Sequence, residues 1–264
     1  GEVHPFGRFA VESDYRKITS EVLRAFYRQH YHSGNCKVYV SGKVTPEIVA
    51  CIEGHLGDAP WGEVKPVQPL QLIEPCTTTQ KHVFVEKADA LQSSLKMGCF
   101  VVDRLHPDFL KTRAMVTLFG GYFGSRLMSN IREDKGYTYG IGAGVVNCPG
   151  SGVLAITTEA DNQYMDAIIR EVYHEIDRLH NDLAPREELE MVRSYMLGDF
   201  CRSYEGPFSL SEAWIYTETA DLDDGFFERQ VDSIRSVTSE EIRTLAQRYL
   251  CKEKLIEVVA GKKV

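Results

Sequence analysis

VTSEEIRTLAQRYLCKEKLIEVVAGK, Val237 to Lys262, reads as a helix, then a strand, then a glycine. The chain carries a related phrase earlier, ITSEVLRAFYRQHYHSGNCKVYVSGK, Ile18 to Lys43. At an offset of 219 residues, Ile18-Thr19-Ser20-Glu21 falls on Val237-Thr238-Ser239-Glu240, Leu23-Arg24 on Ile242-Arg243, Phe26 on Leu245, and Gly42-Lys43 on Gly261-Lys262. A repeat at fixed spacing marks one structural unit used twice. Each half is then about as long as the offset, so the chain holds one nearly whole half and only the tail of the half before it.

Around the first copy, Ile18, Val22 and Phe26 at spacings of four, with Leu23 alongside, predict an amphipathic helix over 14–31, with Thr19 and Ser20 as cap candidates. Residues 37–44 alternate as a strand, and Thr45-Pro46-Glu47 opens a second helix through Ile48, Ile52 and Leu56. Pro60, Pro66, Pro69 and Pro75 then break both helix and strand patterns. The domain boundary is placed here, with residues 66–79 as a linker between 1–65 and 80–264. Strands are expected over 82–86 and 90–102, followed by a helix over 107–119 bearing Phe109, Leu110, Ala114 and Leu118. A hairpin over 137–146 and 152–158 turns at Asn147-Cys148-Pro149-Gly150-Ser151. A helix over 162–180 shows Met165, Ile169, Val172, Ile176 and Leu179 on one face, and another from Pro185 carries Leu189, Val192, Met196 and Phe200. Strands followed by long helices indicate an α+β fold, with a mixed, largely antiparallel sheet covered on one face by helices.

With 43% apolar and 26% charged residues, the chain has the balance of a folded globular protein rather than a disordered one. A net charge of -8 without a basic cluster argues against nucleic acid or anionic lipid as a partner. No apolar run reaches the roughly 18 residues of a membrane span. Seven widely spaced cysteines without a Cys-x-x-Cys pair read as reduced thiols, which favours a cytoplasmic setting. The opening residues, Gly1-Glu2-Val3-His4-Pro5, read as the middle of a loop, so a preceding segment is expected.

The eight histidines do not form a metal motif. His174 and His180 are six apart, about 120° around a helix, and His30 and His32 face differently at a helix end. Neither His-x-x-Glu-His nor His-Glu-x-x-His occurs, so no complete zinc site, and no complete catalytic set, is expected on this chain. Ser125, in Gly124-Ser125-Arg126, lacks the second glycine of a nucleophile elbow and reads as a helix cap. Gly120 and Gly121 fit no phosphate-loop spacing and are read as shaping a turn between helices. Arg132 and Tyr139 stand seven apart across Gly136. Arg132 can be a last-turn cation, Gly136 the left-handed residue that stops the helix, and Tyr139 a solvated strand residue. The same pair can also serve as fixed donors to a peptide carbonyl and its developing oxyanion. Spacing alone does not choose.

His4-Pro5-Phe6-Gly7-Arg8, Ile18-Thr19, Tyr31 and the strand ending at Gly42 resemble the closing part of one half of a pitrilysin-type, or M16, metallopeptidase. Gln92-Ser93-Ser94, Gly120-Gly121, Ser125-Arg126-Leu127 and Arg132-Glu133-x-x-Gly136-x-x-Tyr139 resemble the body of the next half. This family includes mitochondrial processing peptidase and insulin-degrading enzyme, and its halves have a LuxS/mitochondrial-processing-peptidase-like fold. The resemblance implies a zinc-bearing N-terminal half and a zinc-free C-terminal half that closes over it and supplies Arg132 and Tyr139 to bind substrate. Zinc is then expected in the intact protein and none on this chain, which alone should be inactive. Expected partners are a peptide or unfolded polypeptide and a zinc-bearing half or partner subunit, with a homodimer left open, and neither nucleic acid nor membrane. Other family roles, a noncatalytic scaffold or a peptide-binding module, stay open.

Overall fold

The structure, a computed structural model, describes residues 7–63 and 78–263; His4-Pro5-Phe6 and most of the expected linker lie outside the described residues. In chain order these residues form α1 (Glu12–Arg16), α2 (Ser20–His30), α3 (Pro46–Ile52), β1 (His82–Glu86), β2 (Gln92–Val101), α4 (Phe109–Val116), β3 (Thr138–Cys148) and β4 (Ser151–Asp161). There follow α5 (Met165–Asn181), α6 (Arg186–Ser203), α7 (Pro207–Thr219), α8 (Phe226–Ser236), α9 (Ser239–Tyr249) and β5 (Ile256–Gly261). They group into two compact units, residues 7–63 with 203–218, and residues 78–202 with 219–263.

The larger unit is built on a five-stranded sheet in the order β1-β5-β2-β4-β3. β1 and β5 run parallel and every other pair is antiparallel, the α+β arrangement expected from the sequence. Alternation along β2 sends Ser93, Leu95, Met97, Cys99 and Val101 to one face, and Leu154 and Ile156 of β4 join them. Among the described residues of this unit, helices pack over that face: α4 packs on α8 and α9, and α9 on α5. Phe119, Leu127, Ile131, Ile168 and Ile176 complete a dry core between the layers. One buried face and one open face are what period-two patterning dictates for such a sheet. α5 buries Ile168 fully and Ile169 only in part, a small rotation from the face read off the sequence.

In the smaller unit the helix expected over 14–31 is two elements. Thr19 Oγ1 accepts from Val22 N–H at 3.3 Å and starts α2 at Ser20, leaving α1 as a separate turn. The strand expected over 37–44 is a correction. The backbone enters it extended at Cys36, but among the described residues no neighbouring strand takes its hydrogen bonds, so no ladder forms. α3 begins at Pro46 behind Thr45. Ser33 N–H donates to Trp61 O at 2.9 Å, closing the segment back on itself. Lys37 pairs with Glu218 of α7, which groups with this unit although it follows α6 in the chain.

Candidate functional site

Tyr139 occupies a β-bulge. Thr138 pairs with Ala160 and Ile141 with Thr158, three steps on β3 against two on β4, so Tyr139 and Gly140 together oppose Glu159. The extra residue lets Thr138 and Ile141 both face the helices and turns Tyr139 onto the open face, where it is 92% exposed. Two threonine hydroxyls lock this bulge. Thr138 Oγ1 lies 2.9 Å from Thr158 Oγ1 and 2.7 Å from Glu159 O, to which it donates. Thr158 Oγ1 donates to Gly140 O at 2.8 Å. Gln92, Ser94, Lys96, Tyr139 and Thr157 line a shallow cavity of about 640 Å³ on this face.

Arg132 lies in a π-helical segment, Met128–Asp134, closed by Lys135 N–H donating to Asn130 O at 3.1 Å. Single π turns inside helices are frequent at functional sites. Gly136, at φ 65°, then lets Tyr137 N–H reach Ile131 O at 3.1 Å, a reversal that a side chain at this position strains. Tyr137 stacks on Tyr164 with ring centroids 5.0 Å apart, fixing the path from Arg132 to the bulge. The guanidinium of Arg132 sits over the ring of Phe123, 4.6 Å from its centroid, and pairs with Glu133. No hydrogen bond or ring contact joins Arg132 to Tyr139 among the described residues.

Gly120 and Gly121 end a second π-helical segment, Thr117–Gly121, which continues α4. A Cβ on Gly120 would stand 2.7 Å from Ala143 Cβ and 2.9 Å from Leu127 Cδ1. Its lack of a side chain therefore lets this turn lie against β3; neither glycine has positive φ.

Arg126, six residues before Arg132 on the same helical stretch, is 8% exposed and forks onto Glu188 at the start of α6, Nε to Oε1 at 2.8 Å and Nη2 to Oε2 at 2.9 Å. Burial pulls its pKa down, but the Glu188 bonds and the nearby charges of Glu175 and Asp182 win and hold it above the ordinary arginine value. Fully buried Glu175 accepts from Asn130 Nδ2 at 2.7 Å and Arg178 Nη1 at 3.0 Å, so the Arg132 segment is tied to α5 as well.

With this geometry in place, comparison supplies the family. The model described as the peptidase M16 inactive domain matches residues 17–196. The chain belongs to that family. A Rickettsia felis protein called an uncharacterized zinc protease is 27% identical over 179 residues, covering 67% of this chain but 41% of the relative. This M16 chain thus spans under half the length of that curated relative. Among solved structures, a peptidase M16 inactive domain from Pseudomonas fluorescens superposes with a TM-score of 0.82 at 21% identity, over 96% of this chain and 60% of that one. A protease from Helicobacter pylori does so with 0.85 at 15%, over 95% and 61%. At these identities the structural likenesses establish the fold of the M16 domain.

Among the described residues no three His, Cys, Asp or Glu side chains converge as a metal would require. His174 lines the polar cleft around Glu175, while His180 Nε2 lies 3.1 Å from Ala246 O. Sequence reasoning missed three features of this candidate site. The π-helical turn has no pattern that separates it from an α-helix. The Thr138–Thr158 pair depends on strand register. Phe123 lies two residues after Gly121, and its aromatic ring nine residues before an arginine was the one available signal.

Proposed function

We propose that residues 80–264 are the zinc-free C-terminal half, and residues 1–65 the tail of the N-terminal half, of an M16-like metalloendopeptidase acting on peptides or unfolded segments. Arg132 and Tyr139 hold the carbonyl of the bound peptide and stabilise the negative charge that grows on its oxygen, while hydrolysis itself belongs to the zinc-bearing half. The observation that carries this reading is the locked bulge. A phenol packed for stability would turn inward, and here one extra residue and two buried hydroxyls keep Tyr139 in solvent on the open face. A guanidinium and a phenol each carry hydrogen-bond donors, the character an oxyanion requires.

The test is turnover in the zinc-bearing assembly. Arg132→Ala and Tyr139→Phe should each lower kcat by on the order of 100- to 1000-fold, the cost of one oxyanion donor, with folding unaltered. Unchanged kcat in both variants refutes the assignment. A scaffold role predicts that result, and a peptide-binding module predicts peptide binding weakened by the same substitutions with no hydrolysis in any assembly.

A further inference from the structure

We propose that Phe123 is a positioning residue for Arg132, holding the guanidinium over its ring so that the cation meets a peptide carbonyl in one orientation; this rests on the role given to Arg132 above. Phe123 and Tyr122 are neighbours with opposite environments. Tyr122 is half-buried and stacks on Tyr195 at 4.9 Å, anchoring the turn, whereas Phe123 is 64% exposed. Among the described residues the one ring or cation contact of Phe123 is Arg132, at 4.6 Å. A phenyl ring left in water contributes little to the core, so its contact with the arginine is the interaction that distinguishes it from a solvated polar residue.

The chemistry of the two groups suits the role. A guanidinium carries its five N–H donors in the plane of the group and has none on its faces. A ring against one face therefore restrains the side chain while leaving the edge donors for a carbonyl. Glu133, which pairs with Arg132 through Nη1, takes some of those donors, so the carboxylate alone would both orient and neutralise the cation. The aromatic face orients without adding negative charge. A flexible arginine must otherwise lose its rotamer freedom as charge grows on the carbonyl oxygen in the transition state, and prior restraint removes that cost from the chemical step.

Two measurements test this. In the zinc-bearing assembly, Phe123→Leu should lower kcat roughly 2- to 5-fold, the worth of one exposed cation–π contact, with KM little changed. Phe123→Tyr and Phe123→Trp, which keep a ring face, should retain wild-type kcat. In an Arg132→Ala background, Phe123→Leu should have no further effect. On this chain alone, NMR should show the Arg132 Nε–H resonance shifted upfield by the Phe123 ring, and Phe123→Leu should abolish the shift. Arg132→Ala with unchanged kcat defeats the functional reading itself, and this inference with it. A lowered kcat in Arg132→Ala beside an unchanged one in Phe123→Leu, an equal Phe123→Leu effect without Arg132, or no ring shift, overturns this inference alone.

Discussion

Glu188→Ala removes one partner from a pair whose other member is almost sealed from water. Arg126 is 8% exposed, Glu188 accepts from its Nε and Nη2, and Nη1 makes no protein hydrogen bond. Truncation therefore strips the guanidinium of both charge-assisted bonds in a place it cannot leave. Breaking a buried pair costs about 3–5 kcal/mol, because an uncompensated charge remains. The Glu188 side chain is 24% exposed, and water entering from its side compensates part of that charge, so the lower end, about 3 kcal/mol, is expected. For a unit of this size that lowers the melting temperature by roughly 6–12 °C. Urea unfolding at neutral pH with an unchanged slope is the assay. The companion variant Arg126→Met with Glu188→Leu removes both charges and should cost clearly less than Glu188→Ala alone, because nothing charged is left buried. A Glu188→Ala cost below about 1 kcal/mol, or a double variant less stable than the single, would show that Arg126 is solvated and that this fork does not tie α6 to the Arg132 segment.

Gly120→Ala puts a methyl 2.7–2.9 Å from Ala143 and Leu127 and should destabilise by about 1–3 kcal/mol in urea unfolding, with Gly140→Ala, which meets nothing within 4 Å, as the milder control. Thr138→Val keeps the shape of the bulge but leaves Thr158 Oγ1 without its hydroxyl partner; a loss of about 1–2 kcal/mol is expected, and amide exchange at Tyr139 and Gly140 should quicken. Burial, and secondarily Cys251, pushes the Cys99 thiol up to about 11. The unfolded thiol ionises at about 8.5, so this contribution is complete below that pH and is lost as pH rises towards the folded value. Cys99 should stay unlabelled by a thiol reagent at pH 8 while exposed Cys36, Cys51 and Cys201 react; native-state labelling of Cys99 at their rate would contradict its burial.

Local signals in the sequence carried much of the fold. The hairpin of β3 and β4 and the amphipathic faces of α5 and α6 follow from turn residues and apolar spacing, each read within a few residues. The site was less legible because its interactions link separated positions. Arg126 and Glu188 are 62 residues apart, and the bulge beneath Tyr139 exists only relative to the register of β4.

The two copies of the opening repeat divide what sequence determines from what tertiary structure decides. In both, a threonine caps a helix through its own hydroxyl, Thr19 to Val22 N–H and Thr238 to Glu241 N–H, since a cap needs nothing beyond the next turn. Beyond that the copies part. Ile242, Leu245 and Ala246 of α9 are buried and the following valines form β5 between β1 and β2, whereas Val22, Leu23 and Phe26 of α2 are exposed and residues 37–44 form no strand. Helical hydrogen bonds close within the segment, but those of a strand, and the burial of either element's apolar face, require a neighbour that the segment's own sequence does not contain.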